Sequence, residues 1–282
     1  MNSAFFRQGC SGLALELRAD AARFNEEVSS IGAARTRRVG LARALSKLGY
    51  CSRSQAAELA RAGRVRLNGK VRRDPETPVA LGRDGIDVDG QPVRAARKIY
   101  WVMNKPRGAV TTASDEKGRR TVYNFLPPDL PWLAPVGRLD KASEGLLLLT
   151  NDSEWAARIT SPETHLDKTY HVQVNSLVDS AELQRITRGI RVESGEMLRA
   201  KSASVLRQGQ RNCWFEIVLD EGKNRQIRRM LDAMDKETMR LVRVAIGPLK
   251  LGELAKGATR GLSSQEKNAL DNAMRGRAHS AK

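Results

Sequence analysis

Pro135-Val136-Gly137-Arg138-Leu139-Asp140-Lys141-Ala142-Ser143-Glu144-Gly145-Leu146-Leu147-Leu148-Leu149-Thr150-Asn151-Asp152 is the stretch on which the fold turns. The run 146–149 is uniformly apolar, short, and stopped by the turn-forming pair Asn151-Asp152. It reads as a strand buried on both faces, and a buried helix of that length has the same pattern. Asp140 stands in a loop bearing Gly137 and Arg138, just before the run. A carboxylate at the lip of a buried strand, poorly solvated and beside a cation, is kept charged and aimed, which a carboxylate nucleophile requires. Taken alone, Arg-Leu-Asp reads first as an ion pair at a turn, since such pairs outnumber active sites.

Outward from this stretch the chain is rich in strands. Residues 99–103 form a buried strand ended by Lys105-Pro106, and residues 111–121 lack apolar periodicity and read as a basic loop. Tyr170, Val172 and Val174 alternate with polar neighbours, the pattern of a half-buried strand. Asp179 and Glu182 make a capping box for a helix that closes at Gly189. Residues 213–219 are a further strand, turning at Glu221-Gly222 into a helix with Ile227, Met230, Leu231 and Met234 on one face. That spacing leaves Arg225, Arg228, Arg229 and Asp232 off the apolar stripe. Residues 241–246 read as a return strand. Mixed strands and helices without regular βαβ alternation predict an α+β fold. Trp101, Trp132, Trp155 and Trp214 are read as core rather than as stacking surfaces.

Upstream, residues 39–95 make a compact unit of their own. Leu41, Leu45 and Leu48 recur at helical spacing up to Gly49, and Ser52 with Gln55 caps a second helix that ends at Gly63. Val65-Arg66-Leu67 then enters Asn68-Gly69, a strong hairpin signal, and a second turn falls at Asp89-Gly90. Residues 94–98 are a basic linker. We read residues 1–38 as a mobile extension, 99–262 as the larger domain, and 263–282 as a polar, disordered tail.

The 282 residues carry a formal charge of +17, unevenly spread: residues 37–98 hold fifteen Lys and Arg against six Asp and Glu. Such a concentration favours a polyanionic partner, nucleic acid first. Cys10, Cys51 and Cys213 are scattered and make neither a disulfide framework nor a zinc site, so a reducing cytoplasm is expected and no metal. No stretch approaches membrane-spanning length.

The Asp140 segment, Gly-Arg-Leu-Asp followed by a hydroxyl residue and Gly-Leu-Leu-Leu-Leu-Thr-Asn-Asp, resembles the catalytic segment of ribosomal RNA pseudouridine synthases. Asn104-Lys105-Pro106-Arg107-Gly108 resembles that family's first motif, Lys168-Thr169-Tyr170 its Lys-x-Tyr form, and Glu221-Gly222-Lys223-Asn224-Arg225-Gln226-Ile227-Arg228-Arg229-Met230 its last. The motifs stand in the family's order, and the resemblance covers roughly residues 39–260. Ser143 departs from the threonine expected at the hydroxyl position. The resemblance implies a largely antiparallel mixed sheet with flanking helices and a cleft across its middle. It implies uridine isomerisation without a cofactor, with Asp140 as nucleophile, Tyr170 as the stacking residue that also assists proton loss from carbon 5, and Arg228 paired with Asp140. It implies RNA contacts from Lys105, Arg107, Arg138, Lys223, Arg225 and Arg229.

Residues 39–95 resemble the RNA-binding domain first seen in ribosomal protein S-four. Carried onto this chain, the contact candidates are Ser52, Arg53, Ser54, Gln55, Arg64, Arg66, Asn68 and Lys70. The expected partner is ribosomal RNA, more of the large-subunit type, or a subunit precursor; no membrane is expected, and the enzyme is taken as a monomer. The alternative is a non-catalytic RNA-binding ribosome-assembly factor on the same fold, which would have no use for Asp140, Tyr170 and Arg228 together.

Overall fold

The computed structural model describes residues 38–113, 115 and 117–276. The extension expected over 1–38 lies, except for its last residue, outside the described residues, as do positions 277–282.

The N-terminal unit is built as its punctuation dictates. A two-residue strand β1 (Val39–Gly40) leads into helix α1 (Leu41–Lys47), then α2 (Arg53–Arg61). Helix α2 starts at a reciprocal capping box of Ser52 and Gln55. Strands β2 (Val65–Leu67) and β3 (Lys70–Val71) are joined by Asn68-Gly69, both with positive φ, the backbone that a tight hairpin needs. Strand β4 (Pro78–Val79) pairs with β1, and β5 (Ile86–Val88) and β6 (Gln91–Pro92) complete a sheet of order β3-β2-β5-β6. Leu41, Leu45, Ala56, Ala60, Val65, Val79 and Val88 form a core of their own.

Among the described residues of the larger domain, nine strands form one sheet. They are β7 (Tyr100–Lys105), β8 (Ala134–Val136), β9 (Glu144–Thr150), β10 (Lys168–Val174), β13 (Ser202–Gln208), β14 (Cys213–Leu219), β15 (Thr238–Ile246), β16 (Leu249–Lys250) and β17 (Thr259–Gly261). A separate two-stranded ribbon joins β11 (Ile190–Arg191) to β12 (Met197–Leu198). The main path runs β13-β14-β10-β15-β9-β7-β17, every pair antiparallel except β9 with β15. Helices α3 (Ser153–Thr160), α4 (Ser180–Arg188), α5 (Gln226–Asp232) and α6 (Ser264–Gly276) flank it.

The leucine run is strand β9, and every residue of it is buried. Period-two alternation sends Leu146 and Leu148 into one core with Val102, Trp155 and Met274. Leu147 and Leu149 enter another with Met103, Val122 and Leu133. Four leucines in succession are what two opposed cores require.

The disordered tail expected from residue 263 is corrected for residues 264–276. They form α6, which buries Leu270 completely and Met274 nearly so against Trp155 and Leu146. The segment is polar overall, but its two apolar side chains lie four residues apart and share a face, enough to dock an amphipathic helix. Trp155 alone of the tryptophans is a full core residue; Trp101, Trp132 and Trp214 are half-buried.

Candidate active site

The cleft follows from how strand β9 shares its second edge. Its first two residues pair with β15, Glu144 with Val242 and Gly145 with Arg243, while its last three pair with β8. Strands β15 and β8 therefore diverge along one edge of β9. At the fork the Leu146 carbonyl accepts a hydrogen bond from Arg243 Nε at 2.7 Å instead of from a strand. Gly145 is required there: at φ +102° a Cβ would stand 2.3 Å from the Arg243 carbonyl oxygen. A cavity of about 640 Å³ opens in the fork, with Gly137–Asp140 on one side, Lys168, Tyr170 and Arg243 on another, and the 221–227 segment above.

Asp140 lies in a loop that has no ladder to satisfy its carbonyls, so other groups do so one by one. Thr111 Oγ1 donates to the Leu139 carbonyl at 2.7 Å, and the Gly108 amide to that of Lys141 at 2.8 Å. Lys105 Nζ donates to the carbonyls of Asp140 (3.1 Å), Ser143 (2.9 Å) and Pro106 (3.2 Å). Arg228 Nη2 reaches the Ala142 carbonyl at 3.2 Å. The backbone beneath the carboxylate is thereby fixed from 139 to 143, while the Asp140 side chain stays 40 % exposed at the lip.

Two expectations are corrected here. Lys105 is no RNA contact: it is fully buried, and its three ammonium donors are spent on three carbonyls. Burial pushes the ammonium down to about 8, against the pull of the Asp140 and Glu144 carboxylates. Arg228 makes no direct ion-pair contact with Asp140, although the Asp140 charge attracts its guanidinium. That contact belongs to Arg225, whose Nη1 lies 3.8 Å from Asp140 Oδ2. Arg225 caps α5 with a left-handed backbone (φ 47°), a sparsely populated conformation for a residue with a side chain. Arg228, one turn on, is buried and works through the loop backbone; burial, then repulsion from Arg225, lowers its guanidinium. Being off the apolar stripe told only that Arg228 points elsewhere than the helical core, not that it is exposed.

Of the other expected site residues, Tyr170, Arg138, Lys223 and Arg225 line the same cavity as Asp140. Tyr170 is half-buried on β10, opposite Ile217 and Arg243. Lys223 is tied to Glu196 and Glu221, and Arg229 to Glu196 and Ser194, which turns Arg229 away from the cavity. Arg107 is exposed near the cavity, close enough to Arg228 to repel its charge. The N-terminal candidates form a second group. Arg53, Ser54, Arg66 and Lys70 are exposed, Gln55 and Ser52 serve the α2 cap, and Arg64 pairs with Asp89. Asn68 holds its turn by bonding Asp84 and the Gly85 amide.

Sequence reasoning missed Lys168 and Arg243 as cavity residues. Lys168 stands two residues before Tyr170 on one strand and so shares its face, a signal available from period two. Its ammonium is lowered by burial and then by Arg243. No group of three His, Cys, Asp or Glu side chains among the described residues converges as a metal site, and no described helix is long and apolar enough to cross a membrane.

A carboxylate cleft in a forked sheet, joined to a separate basic unit of helices and hairpins, is suited to an enzyme that works on a polyanion. Similarity to known proteins identifies the class. The family described as RNA pseudouridylate synthase matches residues 99–233, and the S4 domain family matches residues 39–84. The chain is 36 % identical to the ribosomal large subunit pseudouridine synthase B of Bacillus subtilis, over 82 % of this chain and 94 % of that protein. It is 39 % identical to an RNA pseudouridine synthase of Aquifex aeolicus, over 79 % and 89 % respectively. A crystal structure of a pseudouridylate synthase superposes with a TM-score of 0.59 at 29 % identity, covering 82 % of this chain and 99 % of that one. The chain belongs to the RNA pseudouridine synthase family and is an α+β enzyme with an N-terminal S4 domain that binds RNA.

Proposed function

We propose that this enzyme isomerises a defined uridine of ribosomal RNA, in the large-subunit RNA, with Asp140 as nucleophile and Tyr170 as the surface on which the extruded uracil stacks. The observation that carries the reading is the cleft itself: a half-exposed carboxylate, on a loop pinned by Lys105, Gly108, Thr111 and Arg228, lining one cavity with a half-buried tyrosine. The relative named for the large ribosomal subunit supports the choice of RNA. The partner is rRNA or a subunit precursor, met in the cytoplasm by a single copy of the chain.

The reaction breaks the bond from ribose carbon 1′ to uracil nitrogen 1, turns the base, and joins carbon 5 to the sugar. Carbon 5 loses a proton and nitrogen 1 gains one, so nothing is oxidised and no group is added. A base inside a helix is unreachable, so the uridine must leave the stack and enter the cavity. Asp140 then attacks the base or the sugar carbon, from a position that Lys105, Thr111 and Arg228 hold through the loop backbone. Arg225 supplies the neighbouring positive charge. Arg107 and Arg138, exposed beside the opening, are suited to the phosphates of the flipped nucleotide.

Asp140→Asn tests the reading. The change is nearly isosteric and removes the nucleophilic charge, so rRNA binding should persist while single-turnover pseudouridine formation disappears. Comparing pseudouridine maps of total rRNA from cells with and without the protein names the position. Product from a pure, folded Asp140→Asn protein, or unchanged maps in large-subunit RNA, would remove the assignment.

A further inference from the structure

A second cavity, about 480 Å³, lies between the two domains and takes no part in the chemistry above. One wall is a face of α2 and its C-cap, where Gln55, Glu58, Leu59 and Ala62 recur at helical spacing, turned away from the face that Ala56 and Ala60 bury. The facing wall is Trp132 of the larger domain, and Tyr50, 44 % exposed, stands at the mouth. Trp132 is a prepared platform. It stacks on Tyr123 with ring centroids 5.0 Å apart and planes at 9°, and the Tyr123 hydroxyl is anchored on the Leu133 carbonyl at 2.8 Å.

The charged side chains that line this cavity are one carboxylate, Glu58, and one guanidinium, Arg64. Arg64 pairs with Asp89, whereas Glu58 is an exposed carboxylate within the most basic segment of the chain. A carboxylate on an RNA-binding surface repels the backbone, and the RNA groups it can bind are the N–H donors of a base edge. Guanine alone among the four bases offers two adjacent N–H donors on its Watson–Crick edge, matching the two oxygens of Glu58.

The location suits this task. Trp132 precedes β8, which pairs at the Thr150 end of β9, whereas Asp140 precedes the opposite end. Seven strand residues separate the two places by about 20 Å.

We propose that the cavity between α2 and Trp132 is a base-reading site for an unpaired guanine, located in the same RNA a few nucleotides from the reacting uridine. The inference rests on the reading of the chain as an rRNA-modifying enzyme, and it adds to that reading a determinant of which uridine is chosen. A guanine in this site stacks on Trp132, extends the existing aromatic pair, and gives its two N–H groups to Glu58.

The test uses the full-length chain and short, labelled oligouridylates carrying guanosine, adenosine, cytidine or no replacement at the centre, with binding read by fluorescence anisotropy. The guanosine oligomer should bind about tenfold more tightly than the others. Glu58→Gln should abolish that preference while leaving the oligouridylate affinity unchanged or higher. Trp132→Ala should weaken the guanosine oligomer about tenfold, and Trp132→Phe should restore most of the loss, which a folding defect would not allow. Equal affinity of wild-type protein for all four oligomers, or a preference that survives Glu58→Gln, overturns the proposal. The functional reading is scored separately, by wild-type pseudouridine formation on rRNA: isomerisation without base preference sinks the guanine site alone.

Discussion

Lys105 shows how a motif residue is misassigned when only its charge is visible. The resemblance of residues 104–108 to the family's first motif implies an RNA contact for it. In the fold its ammonium is fully buried under the Asp140 loop, where three N–H donors meet three carbonyls. Lys105→Met keeps the stem and leaves those acceptors unmatched, so stability should fall by about 3 kcal/mol in denaturant titrations. The rate of isomerisation should fall with it, and RNA affinity should hardly move. A loss of affinity at unchanged stability would return Lys105 to the RNA surface. The pH dependence has a definite sign. The folded-state ammonium titrates near 8, below an unfolded lysine at about 10.4. Between those values the unfolded chain binds more protons, so wild-type stability should rise with pH relative to Lys105→Met over that window and reach its lower plateau below 8.

At the scale of elements, strand β10 delivers Tyr170 and Lys168 to the cavity, and helix α6 closes the core behind β9. Tyr170→Phe keeps the ring, so binding of the extruded uridine should change little. Tyr170→Ala should cost about 1–3 kcal/mol of binding as well as rate, the worth of one stacked base. Single-turnover kinetics on RNA tritiated at carbon 5 separate the roles. Normal tritium release by the Phe variant would exclude the phenol from proton transfer, and normal activity in the Ala variant would remove the residue from the site. Truncation after residue 263 removes Leu270 and Met274 from contact with Trp155 and Leu146. Two core side chains of that size are worth about 4 kcal/mol or more, which a thermal melt of the truncated chain should register. An unchanged melting temperature would mean that α6 does not hold the core. Helices and hairpins with caps or Asn-Gly turns were legible in the sequence because their signals are local. Helix α6 was not, since two apolar residues on a polar segment acquire meaning only when a core is there to receive them.

At the scale of the molecule, the S4 domain and the catalytic domain have separate cores, joined through a linker and a small set of contacts. Asn151 at the end of β9 bonds the Ile99 amide and the Arg97 carbonyl, Ala96 bonds Leu48, and Lys47 pairs with Glu154. Deleting residues 1–95 should therefore leave the catalytic domain folded by circular dichroism, with weaker binding to structured rRNA and a flatter salt dependence. The deleted segment carries the densest positive charge, and each phosphate it neutralises releases counterions. Unchanged affinity and salt slope after the deletion would refute its role in RNA binding.

The sequence by itself determined the elements with local signals, the buried strand after Asp140, the basic N-terminal unit, and the residue types of the cleft. Those depend on spacing, turn chemistry and composition, which act over a few residues and are written in order along the chain. Only the tertiary structure decided which arginine meets the carboxylate. Arg225 and Arg228 sit one turn apart on the same segment, and what separates them is the direction of approach to a loop some eighty residues earlier. It also decided that Lys105 faces inward and that β9 forks its neighbours to open a cavity. The reason is physical: a loop without a ladder must find donors for its carbonyls. Which side chains are near enough to serve is a property of the assembled sheet, not of any stretch of sequence.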